Sequence, residues 1–140
     1  MSIVQMDLPA ARVLDLFAGS GALGIEALSR GARSADFVEL STRSLASLRE
    51  NLQSVGAEDN ARIHRADAVK FAGRIGAAEY DVAFADPPYG LGLAQQVAQL
   101  WLAIPFARVI GIEHEKFVDL PEPGDRRVYG DTVVTFYRKP

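Results

Sequence analysis

The sequence contains no cysteine, and only two of its 140 residues are histidine, His64 and His114. Without thiolates the chain has no zinc–thiolate site, no redox cysteine pair and no cysteine nucleophile. Two histidines are also too few for most dedicated metal sites. No apolar run approaches the roughly 18 residues of a membrane span, and the N-terminus lacks the basic start and apolar core of a signal peptide. We therefore expect a soluble, cytoplasmic protein that needs no structural metal.

Basic residues are slightly outnumbered, with 15 Lys and Arg against 18 Asp and Glu and a net charge of −3. Proteins that bind nucleic acid normally present a basic surface, so any such surface here has to be local. The length predicts one domain, and a domain of this size buries about two-thirds of the surface that its unfolded chain exposes.

Short apolar runs alternate with helix-like segments along the chain. Strands are predicted over 12–17, 34–40, 61–67, 80–86 and 106–114, helices over 22–32, 41–56, 68–75 and 92–104, and a final hairpin turning at Gly130-Asp131. Leu45, Leu48, Leu52 and Val55 form one apolar stripe. This alternation predicts an α/β fold with a mostly parallel sheet and helices on both faces. Ligands of such sheets bind at the carboxyl ends of the strands.

The first predicted strand ends in a glycine-rich turn. Gly19, Gly21 and Gly24 match the G-x-G-x-x-G pattern of nucleotide-binding turns, between a strand and a helix. Glu39 follows Gly19 by twenty residues and ends the second strand, where an acid can accept hydrogen bonds from both hydroxyls of a ribose. Asp67 either binds an adenine amine or caps the next helix. These residues suit an NAD-type dinucleotide and S-adenosylmethionine equally well.

Acidic residues separate these two ligands. Asp15 lies four residues before Gly19, and a carboxylate there repels a pyrophosphate and attracts an ammonium or sulfonium group. Together with Glu39, Asp67 and Asp86 it predicts a rim of four acids at the strand ends, which favours a cationic ligand.

The stretch YDVAFADPPYG places Asp86 at the end of the fourth strand. The two prolines restrain the backbone, so that the Asp86 carboxylate and the Pro87 carbonyl become two fixed acceptors. Tyr89 adds an aromatic face beside them. The pattern predicts that the exocyclic amine of a nucleobase is held by the acceptors while its ring stacks on the tyrosine.

These residues resemble the class I S-adenosylmethionine-dependent methyltransferases that carry a (D/N)PPY motif. VLDLFAGSGALGIEALSRGA, DPPYG, and YGDT with the FYRK ending are similar to the RsmD family, which methylates guanine N2 in small-subunit (16S) ribosomal RNA. The resemblance covers about 12–138. It implies a single-domain, Rossmann-like methyltransferase fold with a seven-stranded type of sheet that ends in an antiparallel hairpin.

The resemblance also implies roles for particular residues. Gly19 and Gly21 would hold the methionine part of the cofactor, Leu40 would pack on its adenine, and the Ala68 backbone would assist Asp67. The full implied cofactor set is Asp15, Ala18, Gly19, Gly21, Glu39, Leu40, Asp67, Ala68 and Asp86. Asp86, Pro87 and Tyr89 are implied to be catalytic, and Pro88, Tyr89 and Gly90 to contact the base. The implied partner is ribosomal RNA or the small ribosomal subunit, and no metal is implied.

Family members usually carry a basic segment ahead of the first strand. Residues 1–11 contain no Lys or Arg, so we expect the methyltransferase domain, 1–140, to lack that segment. Three alternatives stay open: an N6-adenine methyltransferase acting on DNA or RNA, a cofactor-binding module without turnover, and an NAD-dependent oxidoreductase. Trp101 is predicted to lie in the core and His64 to be structural. His114 is predicted to lie at the surface or to cap an element, with a place in the pocket lining as the alternative.

Overall fold

The computed structural model describes residues 2–140, with side chains described from Val4 onward. The strands are β1 (Arg12–Leu16), β2 (Ser34–Glu39), β3 (Ala61–Arg65), β4 (Tyr80–Ala85), β5 (Ala107–His114), β6 (Asp125–Tyr129) and β7 (Thr132–Arg138). The helices are α1 (Ala22–Ser29), α2 (Thr42–Ser54), α3 (Ala68–Ala72) and α4 (Leu93–Ala103), with short 3₁₀ turns over Ser2–Asp7 and Glu58–Asn60. Every predicted strand and helix is present, within a few residues of its expected ends.

The seven strands form one sheet in the order β3-β2-β1-β4-β5-β7-β6. β1 to β5 are parallel to one another, and β7 runs antiparallel between β5 and β6. The chain moves outward from β1 to β2 and β3, and then crosses to β4 on the other side of β1. The order therefore reverses between β1 and β4, which is where open α/β sheets bind their ligands.

Alternation along the strands divides the core into two layers. Leu14, Ala83 and Ile110 face α3 and α4, whereas Val13, Val82 and Val109 face α1, α2 and the N-terminal 3₁₀ turn. Trp101 is buried in the first layer, and its indole nitrogen donates to the carbonyl of Ala107 at 2.8 Å, as expected for a core tryptophan. Both faces of the sheet are covered, so a ligand can reach the central strands only at their ends.

The apolar stripe predicted for helix α2 is present except at its last residue. Its first turn is capped by the Ser41 side chain, which accepts from Ser44 N at 3.3 Å, and Leu45, Leu48 and Leu52 are buried. Val55 was expected on the same stripe but is 59% exposed. The helix ends at Ser54, so Val55 leaves the helical path and no longer points at the sheet.

His114 was expected at the surface or in a cap, and that expectation is wrong. It is 1% exposed and pairs with the Thr135 hydroxyl at 2.7 Å and with the Glu115 carbonyl at 2.9 Å. The partner Thr135 lies on β7, which packs beside β5 only because the chain turns back through the terminal hairpin. His64 pairs with Asp36 at 3.1 Å, consistent with a structural position.

Within the part of the chain that the structure describes, none of the helices is both long and apolar enough to cross a membrane.

Candidate active site

Four acidic side chains extend from the carboxyl ends of neighbouring strands toward the same side of the sheet. Two residues before Asp15, Glu39 and Asp86 lie Val13, Phe37 and Phe84, whose side chains pack in the α1–α2 layer. Because side chains two apart on a strand point the same way, the three acids lie on that same side. Glu113 follows Val109 on β5 with the same parity. Strand alternation therefore brings residues from 15 to 113 to one edge.

Asp15 differs from the exposed rim acid that was expected. It is 2% exposed, and its Oδ2 accepts from the Gly24 amide at 3.0 Å. Burial raises the pKa of Asp15 to about 8, and the nearby Asp86 and Glu39 act in the same direction, while the Gly24 bond opposes them. The acid lies beneath the glycine turn, because α1 begins directly over the end of β1.

The glycine turn is held by Glu39. The Gly19 amide donates to Glu39 Oε1 at 2.7 Å, and the amides of Leu40 and Ser41 donate to Oε2 at 3.0 and 2.9 Å. Ala18 is fixed beside it, since its amide donates to the Val38 carbonyl at 3.0 Å. One carboxylate thus joins the turn after β1 to the turn after β2.

Two glycines in this turn have conformations that other residues rarely adopt. Gly19 has φ +57° with no atom within 4 Å of the place where a Cβ would be, so it presents bare backbone to an open space. Gly21 has φ +86°, and a Cβ there would overlap the Leu48 side chain. The first glycine leaves room for a ligand, and the second allows α1 to pack on α2.

Asp67 caps helix α3, since its Oδ1 accepts from the Lys70 amide at 3.0 Å. The cap is one of the two roles that the sequence left open for this residue, and it leaves Oδ2 for a second partner. Ala68, the first residue of α3, is buried, whereas Leu40 is 56% exposed beside the glycine turn. An exposed leucine at this edge supplies an apolar surface for a flat ring.

The DPPYG segment forms a projecting ledge after β4. Asp86, Pro88, Tyr89 and Gly90 are exposed, and Pro87 is buried. Gly90 adopts φ +83°, and its amide donates to Glu115 Oε2 at 2.9 Å. Tyr89 is 54% exposed; partial burial, followed by the charges of Glu113, Asp86 and Glu115, raises its pKa. The tyrosine therefore lies close to three carboxyl groups.

The sequence did not single out Glu113, and Tyr129 and Thr132 were noted only as part of the YGDT motif with no role assigned, yet all three line one cavity with Asp86. The cavity measures about 300 Å³, with walls that include Leu23, Phe84 and Phe136. The hydrogen bond with Asp86, burial and the Asp86 charge raise the pKa of Glu113 to about 7. Glu113 could have been found from the sequence by strand alternation, because its side chain lies on the same side of β5 as that of Asp86 after the adjacent β4.

A larger cavity, about 580 Å³, lies at the opposite edge of the sheet, around Arg12, Asp36 and Arg62. It is polar and open, and none of the predicted site residues lines it. In the described residues no group of three or more histidine, aspartate or glutamate side chains is arranged to hold a metal ion.

A family model described as "Conserved hypothetical protein 95" matches residues 1–138. The chain belongs to this family. It is 35% identical over 142 residues to "Putative rRNA methyltransferase YlbH" of Bacillus subtilis, in a match that covers 91% of this chain and 76% of that protein. It is 40% identical over 98 residues to "Ribosomal RNA small subunit methyltransferase D" of Escherichia coli, covering 66% of this chain and 48% of that enzyme. The match thus spans about half the length of the E. coli relative.

Solved structures share the fold. A conserved hypothetical protein from Streptococcus pyogenes superposes with a TM-score of 0.85 at 29% identity, covering 99% of this chain and 94% of that one. An RNA methyltransferase from Salinibacter ruber, solved with S-adenosyl-L-homocysteine, has the same fold at a TM-score of 0.76 and 12% identity. The Rossmann-like methyltransferase fold and the resemblance to RsmD methyltransferases are confirmed. The chain is a member of a methyltransferase family.

Proposed function

We propose that residues 1–140 form a methyltransferase domain that transfers a methyl group from S-adenosylmethionine to the exocyclic N2 amine of a guanine in small-subunit ribosomal RNA. One observation carries the proposal: Asp86 and Pro87 directly follow β4 at the reversal of strand order, on the same edge as the glycine turn. A donor of methyl groups and an acceptor amine can meet there. The match to the E. coli small-subunit enzyme supports this substrate class.

The residues around the glycine turn fit the cofactor in chemistry. Asp15 is a buried carboxyl group that accepts one hydrogen bond from a backbone amide, and a cationic amino group of the cofactor would supply the counter-charge that allows it to ionise. The Gly19 backbone, unobstructed by a side chain, would lie along the methionine part. A carboxylate has about four acceptor positions, so Glu39, with three backbone donors, keeps capacity for a ribose hydroxyl.

The second turn would hold the adenine. Leu40 offers an exposed apolar side chain to one face of the ring, and Asp67 Oδ2 is available to accept from the adenine amine. The Ala68 amide, at the start of α3, is a donor at the same place. Helix capping through Oδ1 fixes the direction of the other oxygen, so the two roles of Asp67 support each other.

When bound, S-adenosylmethionine supplies a methyl group made electrophilic by the sulfonium. The protein has to present the amine, whose lone pair is delocalised into the base and is a weak nucleophile. The Asp86 carboxylate and the Pro87 carbonyl accept the two amine hydrogens, which turns the lone pair toward the methyl group. Tyr89 stacks on the base after it leaves its helix, while Pro88 and Gly90 shape the approach. No covalent intermediate with the protein is needed.

Asp86→Ala tests the proposal. We expect it to abolish methyl transfer to undermethylated small ribosomal subunits, because the amine loses one of its two acceptors. Binding of S-adenosylmethionine, measured by calorimetry, should stay close to that of the wild type. Asp59→Ala is the matched control, since Asp59 is an exposed acid in the cavity at the opposite edge. Near-normal turnover by Asp86→Ala would overturn the assignment, and so would a wild-type protein that leaves small-subunit RNA unmethylated.

A further inference from the structure

Glu113 and Asp86 lie side by side at the ends of adjacent strands. In the parallel pairing of β4 and β5, Ala85 is opposite Ile112, so the next residue on each strand is an acid. Both acids face the cavity of about 300 Å³ described above. The pairing of the two strands, rather than a flexible loop, sets the spacing of the two carboxyl groups.

The proximity of Asp86 raises the pKa of Glu113, so the pair of carboxyl groups holds on to one proton. The proton is retained because two neighbouring carboxylates repel each other. Among the described residues that line this cavity none is basic. The other ionisable groups near the pair are Asp15, beneath the glycine turn, Tyr89, after β4, and Tyr129, at the end of β6. In the free protein, the shared proton is what stabilises the pair, and a ligand with suitable donors can take its place.

The rest of the cavity is mainly apolar. Phe84, Phe136 and Leu23 form its walls, and Tyr129 and Thr132 contribute from the β6–β7 turn. A Cβ at Gly111 would lie 2.9 Å from Phe136 Cε1, so glycine is needed for the aromatic ring to cross β5. Small-molecule sites begin at about 300 Å³, so the cavity suits a single base entering with its polar edge toward the acids.

We propose that Glu113 selects guanine by accepting the N1–H of the target base while Asp86 and the Pro87 carbonyl hold its N2 amine. This inference rests on the proposed function and names the group that reads the base. Guanine presents two adjacent donors, N1–H and N2–H, on its Watson–Crick edge, and two adjacent carboxylates complement them. Adenine has an unprotonated N1 at the equivalent edge, and its lone pair opposes an ionised carboxylate.

Binding of guanine then displaces the shared proton, because the base supplies both hydrogen bonds. The proton leaves to solvent, and no bond to carbon changes in this step. When the bound purine has an unprotonated N1, the carboxyl pair instead keeps its proton. The neutral Glu113 then donates a hydrogen bond to that nitrogen. Preference for guanine therefore rises with pH through about 7, as Glu113 ionises.

The test compares guanine with 2,6-diaminopurine, which keeps the 2-amino group but has an unprotonated N1. The methylated guanine is mapped by mass spectrometry in treated small subunits, and RNA carrying either base at that position is assembled by ligation. At pH 8 we expect wild-type kcat/KM for guanine to exceed that for diaminopurine by at least about tenfold, the effect of an unpaired charged group. In Glu113→Gln the ratio of guanine to diaminopurine should fall to a value between about 1 and about 3, because the glutamine amide can accept from N1–H or donate to an unprotonated N1.

Two further measurements separate selection from a general structural effect. RNA binding to the protein saturated with S-adenosyl-L-homocysteine, measured by calorimetry in two buffers at pH 7, should release protons in the wild type and not in Glu113→Gln. Glu115→Gln, at the neighbouring carboxyl group, should lower both rates without changing their ratio. An unchanged ratio in Glu113→Gln, with guanine still methylated, overturns the role of Glu113 alone. Absence of guanine methylation by the wild type overturns the proposed function and this role together.

Discussion

The Gly90 amide donates a hydrogen bond to Glu115 Oε2 at 2.9 Å, which ties the turn after β4 to the end of β5. The backbone of Glu115 is itself held, since its carbonyl pairs with the buried ring of His114 at 2.9 Å. His114 pairs through its other ring nitrogen with Thr135 on β7. The position of the DPPYG ledge therefore depends on three strands, two of which come after it in the chain.

Glu115→Ala should loosen this ledge without affecting the glycine turn. We expect kcat/KM for RNA to fall about fivefold, the effect of losing one hydrogen bond of about 1 kcal/mol at an exposed position. Affinity for S-adenosylmethionine should not change. Glu115→Gln keeps an acceptor for Gly90 and should lose less. Steady-state kinetics and calorimetry check both points, and an equal loss of cofactor affinity would contradict the separation of the two regions.

Glu39→Ala should weaken the cofactor site and the fold together. The amides of Gly19, Leu40 and Ser41 would all lose their acceptor, so the free energy of unfolding should fall by about 1–3 kcal/mol. Cofactor affinity should fall as well. Glu39→Gln retains one carbonyl acceptor and should be intermediate in both. Urea unfolding and calorimetry are the measurements, and a variant with unchanged cofactor affinity would remove the ribose role.

Asp15 should make stability depend on pH. Its pKa is raised from 3.8 to about 8 on folding, so between these values the folded protein keeps a proton that the unfolded chain has lost. Stability therefore falls as pH rises from about 4 to about 8, by up to about 1.4 kcal/mol per pH unit for this proton, and the contribution is constant above pH 8.

Asp15→Asn, which keeps an acceptor for the Gly24 amide, should remove this part of the slope. The difference in unfolding free energy between variant and wild type, measured by urea at pH 5, 6, 7 and 8, should grow with pH in favour of the variant. Glu113 titrates with the same sign but is present in both proteins, so it cancels in the difference. Parallel pH profiles would show that Asp15 is ionised in the folded state.

Two glycine substitutions should destabilise the fold for different reasons. A Cβ at Gly24 would overlap the Phe37 ring and lie 3.2 Å from Asp15 Oδ2, so Gly24→Ala should destabilise by about 1–3 kcal/mol through overpacking. Gly19→Ala meets no atom within 4 Å and costs about 1–2 kcal/mol through its φ of +57° alone. Thermal melts measure both. Cofactor binding should suffer more in Gly19→Ala, where the new methyl group faces the open space.

The sequence predicted the order of elements well because local pattern determines it. The apolar runs and the turn at Gly130-Asp131 are each set within a few residues, and both are present. The predicted strand ends also placed Glu39 and Asp86 at one edge. Local rules were sufficient wherever the neighbours of a residue are close to it in the chain.

They were insufficient where the neighbours are distant. The burial of Asp15 depends on α1 folding back over β1, and that of His114 depends on β7, which begins 18 residues later. Val55 was misplaced because the helix ends one residue earlier than its spacing suggested. Glu113 gained significance only once β5 was known to pair with β4, since no short motif surrounds it.

Because β7 runs antiparallel to its two neighbours, the turn that precedes it lies at the edge where the first five strands end. Tyr129 and Thr132 therefore stand next to Asp86, about forty residues earlier in the chain. The groups proposed to hold the methyl donor come mainly from the first half of the molecule, and the walls around the acceptor come mainly from the second. Replacing the hairpin tip thus offers a way to redirect the enzyme to another base while leaving its grip on the donor intact.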